Sequence, residues 1–265
     1  MRILGLDLSI TSPGFCIMDV DEKYEIVHID LHGFTKTDKW VWDGDGLIIH
    51  KIPKEYDSHP PHYRPFMIYE IMKPYLKDVD YIAIEDYAFG AKGKVFDIAE
   101  SSGALKNIFY SMKIPMKKFP PMTVKQCATG SGGADKVMMG LAFSASGLKK
   151  FVNSYLFELP EYNNPQEDLI DACYMANTLR IELCYREHGA FPANLYMPEA
   201  NCTSAILQGK KGAKTKPSIE HPIIEFGEFV RIKKDKKPKK DKKVEPPKPV
   251  KAKSPKKVMK IPDNK

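Results

Sequence analysis

Apolar positions fall into blocks whose spacing changes along the chain. Residues 2–10 (RILGLDLSI) form a compact apolar run with one carboxylate, Asp7, inside it, and read as a strand. Thr11-Ser12-Pro13-Gly14 reads as a turn, with Pro and Gly in the order a type II turn prefers. Phe15 to Val20 and Tyr24 to Phe34 read as two further strands, so the chain opens as an antiparallel meander. Residues 35–63 are rich in Gly, Pro, His, Asp and Trp and read as an irregular insertion. Arg64 to Val79 carries Phe66, Ile68, Tyr69, Met72 and Leu76 at helical spacing, interrupted by Pro74. Tyr81 to Glu85 is a short apolar strand ending in an acid. Phe96 to Met112 reads as a helix and Ile114 to Phe119 as a strand. Thr123 to Cys127 and Lys136 to Leu148 read as helices flanking a glycine-rich turn. Asn164-Pro165-Gln166-Glu167 is a helix start, with Asn as N-cap, Pro at N1 and Glu at N3, and that helix should run to about Glu187.

A meander followed by strand–helix–strand crossovers predicts the α/β class, a mixed five-stranded sheet with helices on both faces. Residues 1–187 form the predicted main domain, with the insertion at 35–63. Residues 188–230 read as a less regular extension, in which Ile223 to Ile232 alternates enough for one more strand.

Charge changes the picture at the C-terminus. Residues 231–265 hold 16 bases against 4 acids, a net of +12, whereas the other 230 residues hold 25 bases and 30 acids, a net of −5. A Lys/Pro-rich tail of this kind buries nothing and is expected to be disordered. The pattern excludes a uniformly basic packing protein and predicts a folded body with a polyanion-seeking appendage. No run of about 18 apolar residues is present, so no membrane span is expected. Asp7 interrupts the apolar start, which does not read as a secretory leader. Five scattered cysteines without a CxxC pair predict neither a disulfide framework nor a zinc knuckle, and an intracellular, cytoplasmic setting is the expectation.

Four acids stand out by context. Asp7 lies inside an apolar strand and Glu85 ends another. Asp168 and Asp171 are three apart in one helix and share a face. A carboxylate in an apolar strand is costly unless paired or bound to a cation. Taken singly, Asp7 could bond a turn, Glu85 could pair with a lysine, and Asp168 could serve the helix dipole. Taken together they form an oxygen-rich set that suits Mg²⁺ or Mn²⁺. The segment PMTVKQCATGSGGADKVMMG places Lys125 and Lys136 either side of Gly130-Ser131-Gly132-Gly133. Such a turn can present backbone N–H groups to phosphate, or can simply connect two helices; it lacks the P-loop spacing.

These pieces resemble the RuvC-type Holliday junction resolvases of the RNase H-like superfamily. ILGLDLSITSPGFCIM is similar to that family's first strand and hairpin, YIAIEDYAFG to its second acidic strand, TVKQCATGSGGADK to its basic turn, and NPQEDLIDACYMA to its closing helix. The resemblance covers about residues 1–187. It implies an RNase H-like fold and a crossover junction endodeoxyribonuclease, in which Asp7, Glu85, Asp168 and Asp171 hold two Mg²⁺ ions and Mn²⁺ can substitute. It implies that Lys125 and Lys136 sit near the scissile phosphate, with Ser131 of the turn on the DNA. It also implies a homodimer that makes paired symmetric cuts in a four-way junction, leaving 5′-phosphate and 3′-hydroxyl ends. Two departures are visible. The family's Asp-Pro-Gly is here Asp7-Leu8-Ser9, and the place of its wedge aromatic is Ala88, flanked by Tyr87 and Phe89, which could stack on an unpaired base. Three other readings compete: a broader branched-DNA or flap endonuclease on the same fold, a junction-binding protein without catalysis, and an actin-like ATP-dependent kinase, whose first phosphate loop is also a strand, an Asp and a hairpin.

Overall fold

The computed structural model describes residues 1–9, 12–44, 46–86, 95–152, 166–208 and 217–224. They belong to one compact unit, Met1–Gly227. The expected meander is present as β1 (Arg2–Asp7), β2 (Gly14–Val20) and β3 (Ile26–Thr35), paired antiparallel in sequence. The third strand starts two residues later than expected, because Tyr24 adopts φ 61° in a turn closed by its N–H on the Asp21 carbonyl.

The insertion is not irregular throughout. It contributes β4 (Trp42–Gly44) and β5 (Leu47–Lys51), so the sheet has seven strands among the described residues, not five. Gly46, at φ 72°, makes the reversal between them. Short strands and turn-forming residues disguised this hairpin as loop, but pairing β5 parallel to β3 covers what would otherwise be an open sheet edge. His32 of β3 and His50 of β5 reinforce the join: Nδ1 and Nε2 are 3.0 Å apart and the rings stack at 5.3 Å. Burial pushes their pKa values down to about 3 and about 4, so the pair is neutral.

After α1 (Arg64–Met72), β6 (Tyr81–Glu85) runs parallel to β1, and after α2 (Val95–Ser111), β7 (Met116–Phe119) runs parallel to β6. The order is β4-β5-β3-β2-β1-β6-β7. Within it, β3-β2-β1-β6-β7, with only β2 reversed, is a mixed five-stranded sheet of the kind expected. α3 (Pro121–Thr129) and α4 (Lys136–Ala145) flank the glycine-rich turn, and α5 (Gln166–His188) closes the domain. The expected cap residues Asn164 and Pro165 lie outside the described residues.

Alternation at period two sorts the strand residues onto two faces. Leu4, Leu6, Phe15 and Phe34 pack with Ile68, Met72, Leu105 and Phe109 of α1 and α2. Ile3, Cys16, Met18 and Leu31 pack with α5 on the other face. α5 is buried nearly all round over residues 169–184, which is why its own hydrophobic pattern shows no clear stripe. It lies unusually close to the sheet. A Cβ on Gly5 would stand 2.1 Å from the Ala172 carbonyl oxygen, and one on Gly14 2.3 Å from that of Asp168.

The extension after α5 packs on this body. α6 (Glu199–Cys202) and the π-helical turn Thr203–Gln208 share a buried cluster with Cys127 and Ile181. Of the strand expected at 223–232, Ile224 makes a single antiparallel bridge to Met116; residues 225–232 and the 231–265 tail lie outside the described residues.

Candidate active site

Three separate elements deliver the four acids to one end of the sheet. Asp7 is the last residue of β1 and Glu85 the last of the adjacent parallel β6, so their carboxylates emerge side by side. Asp168 and Asp171 project from the first turns of α5. The two glycines are what bring that helix near enough, since Gly14 pairs with Asp7 in the sheet and touches the Asp168 backbone. A small cavity of about 30 Å³ is lined by Asp7, Glu85, Asp171, Lys125, Pro121, Val124 and Met175. Asp168 stands at its side, where the Ser12 hydroxyl donates to its Oδ2 at 2.6 Å.

Electrostatics show the four acids acting as one set. Asp7 has its pKa pushed well up, first by burial and then by repulsion from Asp168, Glu85 and Asp171. Burial and Asp171 push Glu85 up to about 7. Asp171 rises to about 6 through burial, with Asp168 adding to it. Asp168 is also raised by burial, while the Ser12 hydrogen bond and Lys136 oppose the rise. Lys125 favours the charged forms of Glu85 and Asp171, and Lys136 those of Asp7, Asp168 and Asp171. Both lysines therefore face the acids. Lys136 also forms an ion pair with Glu167, a residue legible in the sequence only as part of a helix start.

The donor set is all carboxylate, anionic and strained by like charge, which is the chemistry of a site for a hard divalent cation. Among the described residues no three His, Cys, Asp or Glu side chains are placed together so that they could hold a metal ion.

Ser131 serves its own turn. Its N–H donates to Thr129 Oγ1 at 3.1 Å and its Oγ accepts the Gly133 N–H at 3.3 Å. Gly130, at φ 82°, caps α3. The turn is thus internally bonded and closer to a rigid bracket than to a loose connector. Tyr87 and Phe89 lie outside the described residues. Ser12, Gly5, Gly14 and Lys106, which favours the charged form of Glu85, are contributors that sequence reasoning missed. Ser12 sits inside the first motif, but its partner is 156 residues away, and nothing local announces it.

No family model matches the chain. Among curated proteins, the RuvC crossover junction endodeoxyribonuclease of Prochlorococcus marinus strain SARG is 26% identical over 136 residues, 51% of this chain and 77% of that protein. The RuvC of Prochlorococcus marinus strain NATL2A is 25% identical over 179 residues, 67% of this chain and 97% of that protein. Among solved structures, Thermus thermophilus RuvC aligns with a TM-score of 0.46 at 20% identity, covering 72% of this chain and 99% of that one. The four motifs and the curated relatives thus point the same way: this chain is similar to the RuvC crossover junction endodeoxyribonucleases.

Proposed function

We propose that this protein is a metal-dependent endonuclease that resolves four-way DNA junctions by phosphodiester hydrolysis. The observation that carries the reading is the placement of Asp7, Glu85, Asp168 and Asp171 at one end of the sheet, each raised in pKa first by burial, with Lys125 and Lys136 facing them. Asp7, Glu85, Asp168 and Asp171 would hold two Mg²⁺ ions, for which Mn²⁺ can substitute. Bound there, the metal supplies an activated water and charge compensation for the phosphate. The chain's own residues do the rest. The two glycines set the spacing of the acids, and Ser12 fixes the orientation of Asp168. Lys125 and Lys136 offset negative charge on the phosphoryl oxygens as the water oxygen adds to phosphorus. The P–O3′ bond breaks, leaving a 5′-phosphate and a 3′-hydroxyl. A four-way junction has two-fold symmetry, so a homodimer would present one site to each of two opposed strands. The +12 tail grips DNA without sequence preference, through counterion release. Among the described residues no helix is long and apolar enough to cross a membrane.

The test uses synthetic four-way, three-way and linear duplex DNA, with Mg²⁺ or with EDTA. Paired symmetric nicks confined to the four-way substrate are expected. Equal cutting of every branched form favours the broader nuclease, and ATP hydrolysis without DNA cutting would overturn the proposal. Asp7→Asn should abolish cutting and keep DNA binding. Removal of residues 231–265 should weaken binding and flatten its salt dependence while sparing the rate at saturating DNA.

A further inference from the structure

Lys125 stands on α3, while Asp168 and Asp171 stand on α5. One segment beyond the resemblance touches both helices. From α5, the buried Arg180 donates through Nη2 to the carbonyls of Asn194 at 3.0 Å and Leu195 at 3.4 Å. The same guanidinium is held by Asn177 Oδ1 at 2.7 Å and the Tyr24 carbonyl at 2.5 Å, and it lies over the Tyr196 ring. This end of the segment is therefore anchored to the body.

The other end is anchored to α3. Pro121, Val124 and Lys125 face the acid cleft. Gln126, Cys127 and Gly130 lie round the helix from them and face the extension. Gln126 Nε2 donates to Ser204 Oγ at 2.6 Å. Cys127 Sγ lies 3.3 Å from Met197 Sδ and 3.6 Å from Cys202 Sγ. Gly130 approaches Asn201 so closely that a Cβ would stand 2.9 Å from its Oδ1. Ser204 occupies a π-helical turn, a geometry rare enough to need a reason. An α3 of nine residues has little stability of its own and takes its position from what packs on it.

We propose that residues 194–204 are a brace between α5 and α3 that sets Lys125 against the carboxylates, with Gln126 and Ser204 as positioning residues. The inference rests on the nuclease reading and adds to it the part that fixes the lysine. Lys125 has a long side chain, so a small rotation of α3 displaces its ammonium by more than the reacting geometry tolerates.

The experiment uses the full chain and single-turnover cleavage of a four-way junction in Mg²⁺, with DNA affinity measured separately in Ca²⁺. Ser204→Ala and Gln126→Ala should each lower the rate constant by about tenfold, the scale of a modest misplacement, while junction Kd and Tm stay at wild-type values. Ser204→Thr should restore the rate. In a Lys125→Ala background, Ser204→Ala should slow cleavage no further, because the brace acts through that lysine. Wild-type rates in both alanine variants, or a loss that adds in full to that of Lys125→Ala, would overturn the brace and leave the nuclease standing. A drop in Tm with an unchanged rate would also overturn it, marking the contact as packing alone. A wild-type chain that cuts no branched DNA would overturn the nuclease reading and the brace with it.

Discussion

Two regions of the molecule gather charge out of water, and they do so in opposite ways. At the outer edge of the sheet, Lys117 of β7 and Glu182 of α5 are both fully buried and 2.8 Å apart. Every polar atom there finds a partner. Ser218 Oγ donates to Glu182 Oε2 at 2.7 Å, Arg186 donates to Oε1 at 2.6 Å, and Lys117 also donates to the carbonyls of Ser218 at 2.7 Å and His221 at 2.8 Å. At the acid end, four carboxylates face one another, and Lys125, Lys136 and, at Glu85, Lys106 balance them only in part. The first cluster is complete within the chain and straps residues 217–224 to the body. The second keeps a net negative field, the state in which a cation is the natural complement. Burial alone therefore does not mark a functional charge; the sign of what is left over does.

Breaking either cluster should separate the two roles. Asp171→Asn should cut the cleavage rate by about a thousandfold or more, equivalent to ~4 kcal/mol of barrier. The same change should raise the stability of the metal-free protein at pH 8, on the order of 2 kcal/mol, because it removes a charge the fold disfavours. Urea unfolding in EDTA would read that gain, and a loss of stability would remove Asp171 from the repelling set. Lys117→Met should do the reverse. It leaves Glu182 short of a partner and should cost about 3 kcal/mol of stability, with the cleavage rate per folded molecule unchanged. A severe rate loss in fully folded Lys117→Met would blur the distinction.

A pH series sharpens the same contrast. Glu85 and Asp171 have folded pKa values raised to about 7 and about 6 from ordinary carboxylate values near 4. Between about pH 4 and pH 7 the folded state holds more protons than the unfolded one, so these groups favour folding below that window and lose this contribution as pH rises through it. His32 and His50, depressed by burial, act in the opposite sense, favouring folding above pH 6.5 and losing that contribution as pH falls. Their effect is common to samples with and without divalent cation. The Tm gained on adding Mn²⁺ should therefore grow from pH 5 to pH 8, and a gain independent of pH would separate cation binding from these carboxylates. The smallest effect belongs to Ser12→Ala. Losing its hydrogen bond lets the Asp168 pKa rise further and should weaken Mn²⁺ binding severalfold, about 1 kcal/mol, readable by calorimetry.

The sheet core and the acids were legible because their signals are local. A carboxylate closing an apolar run stands out in five residues, as at Tyr81–Glu85, and two aspartates three apart share a helix face without any tertiary information. The hairpin of β4 and β5 was not legible, since three- and five-residue strands around Gly46 carry too little alternation to outweigh their turn residues. Nothing local marks Lys117 in its short strand; only its meeting with Glu182, 65 positions on, explains why it can be buried. Ser131, whose motif suggests DNA, has its N–H and its Oγ in hydrogen bonds within its own turn, a contact that only the folded loop reveals.

What the sequence determined by itself is the set of parts: alternating runs that must become strands, an apolar helix that must be buried, four acids and two lysines in a fixed order, and a tail whose charge is opposite to that of the body. These follow from periodicity and composition, which act over a few residues. Which parts meet was decided only by the tertiary structure. Gly5 and Gly14 admit α5 to the sheet, Ser12 finds Asp168, and the segment after α5 reaches back to α3. Burial and charge coupling depend on distances in space, and the chain sets those distances only when the whole sheet has closed around them.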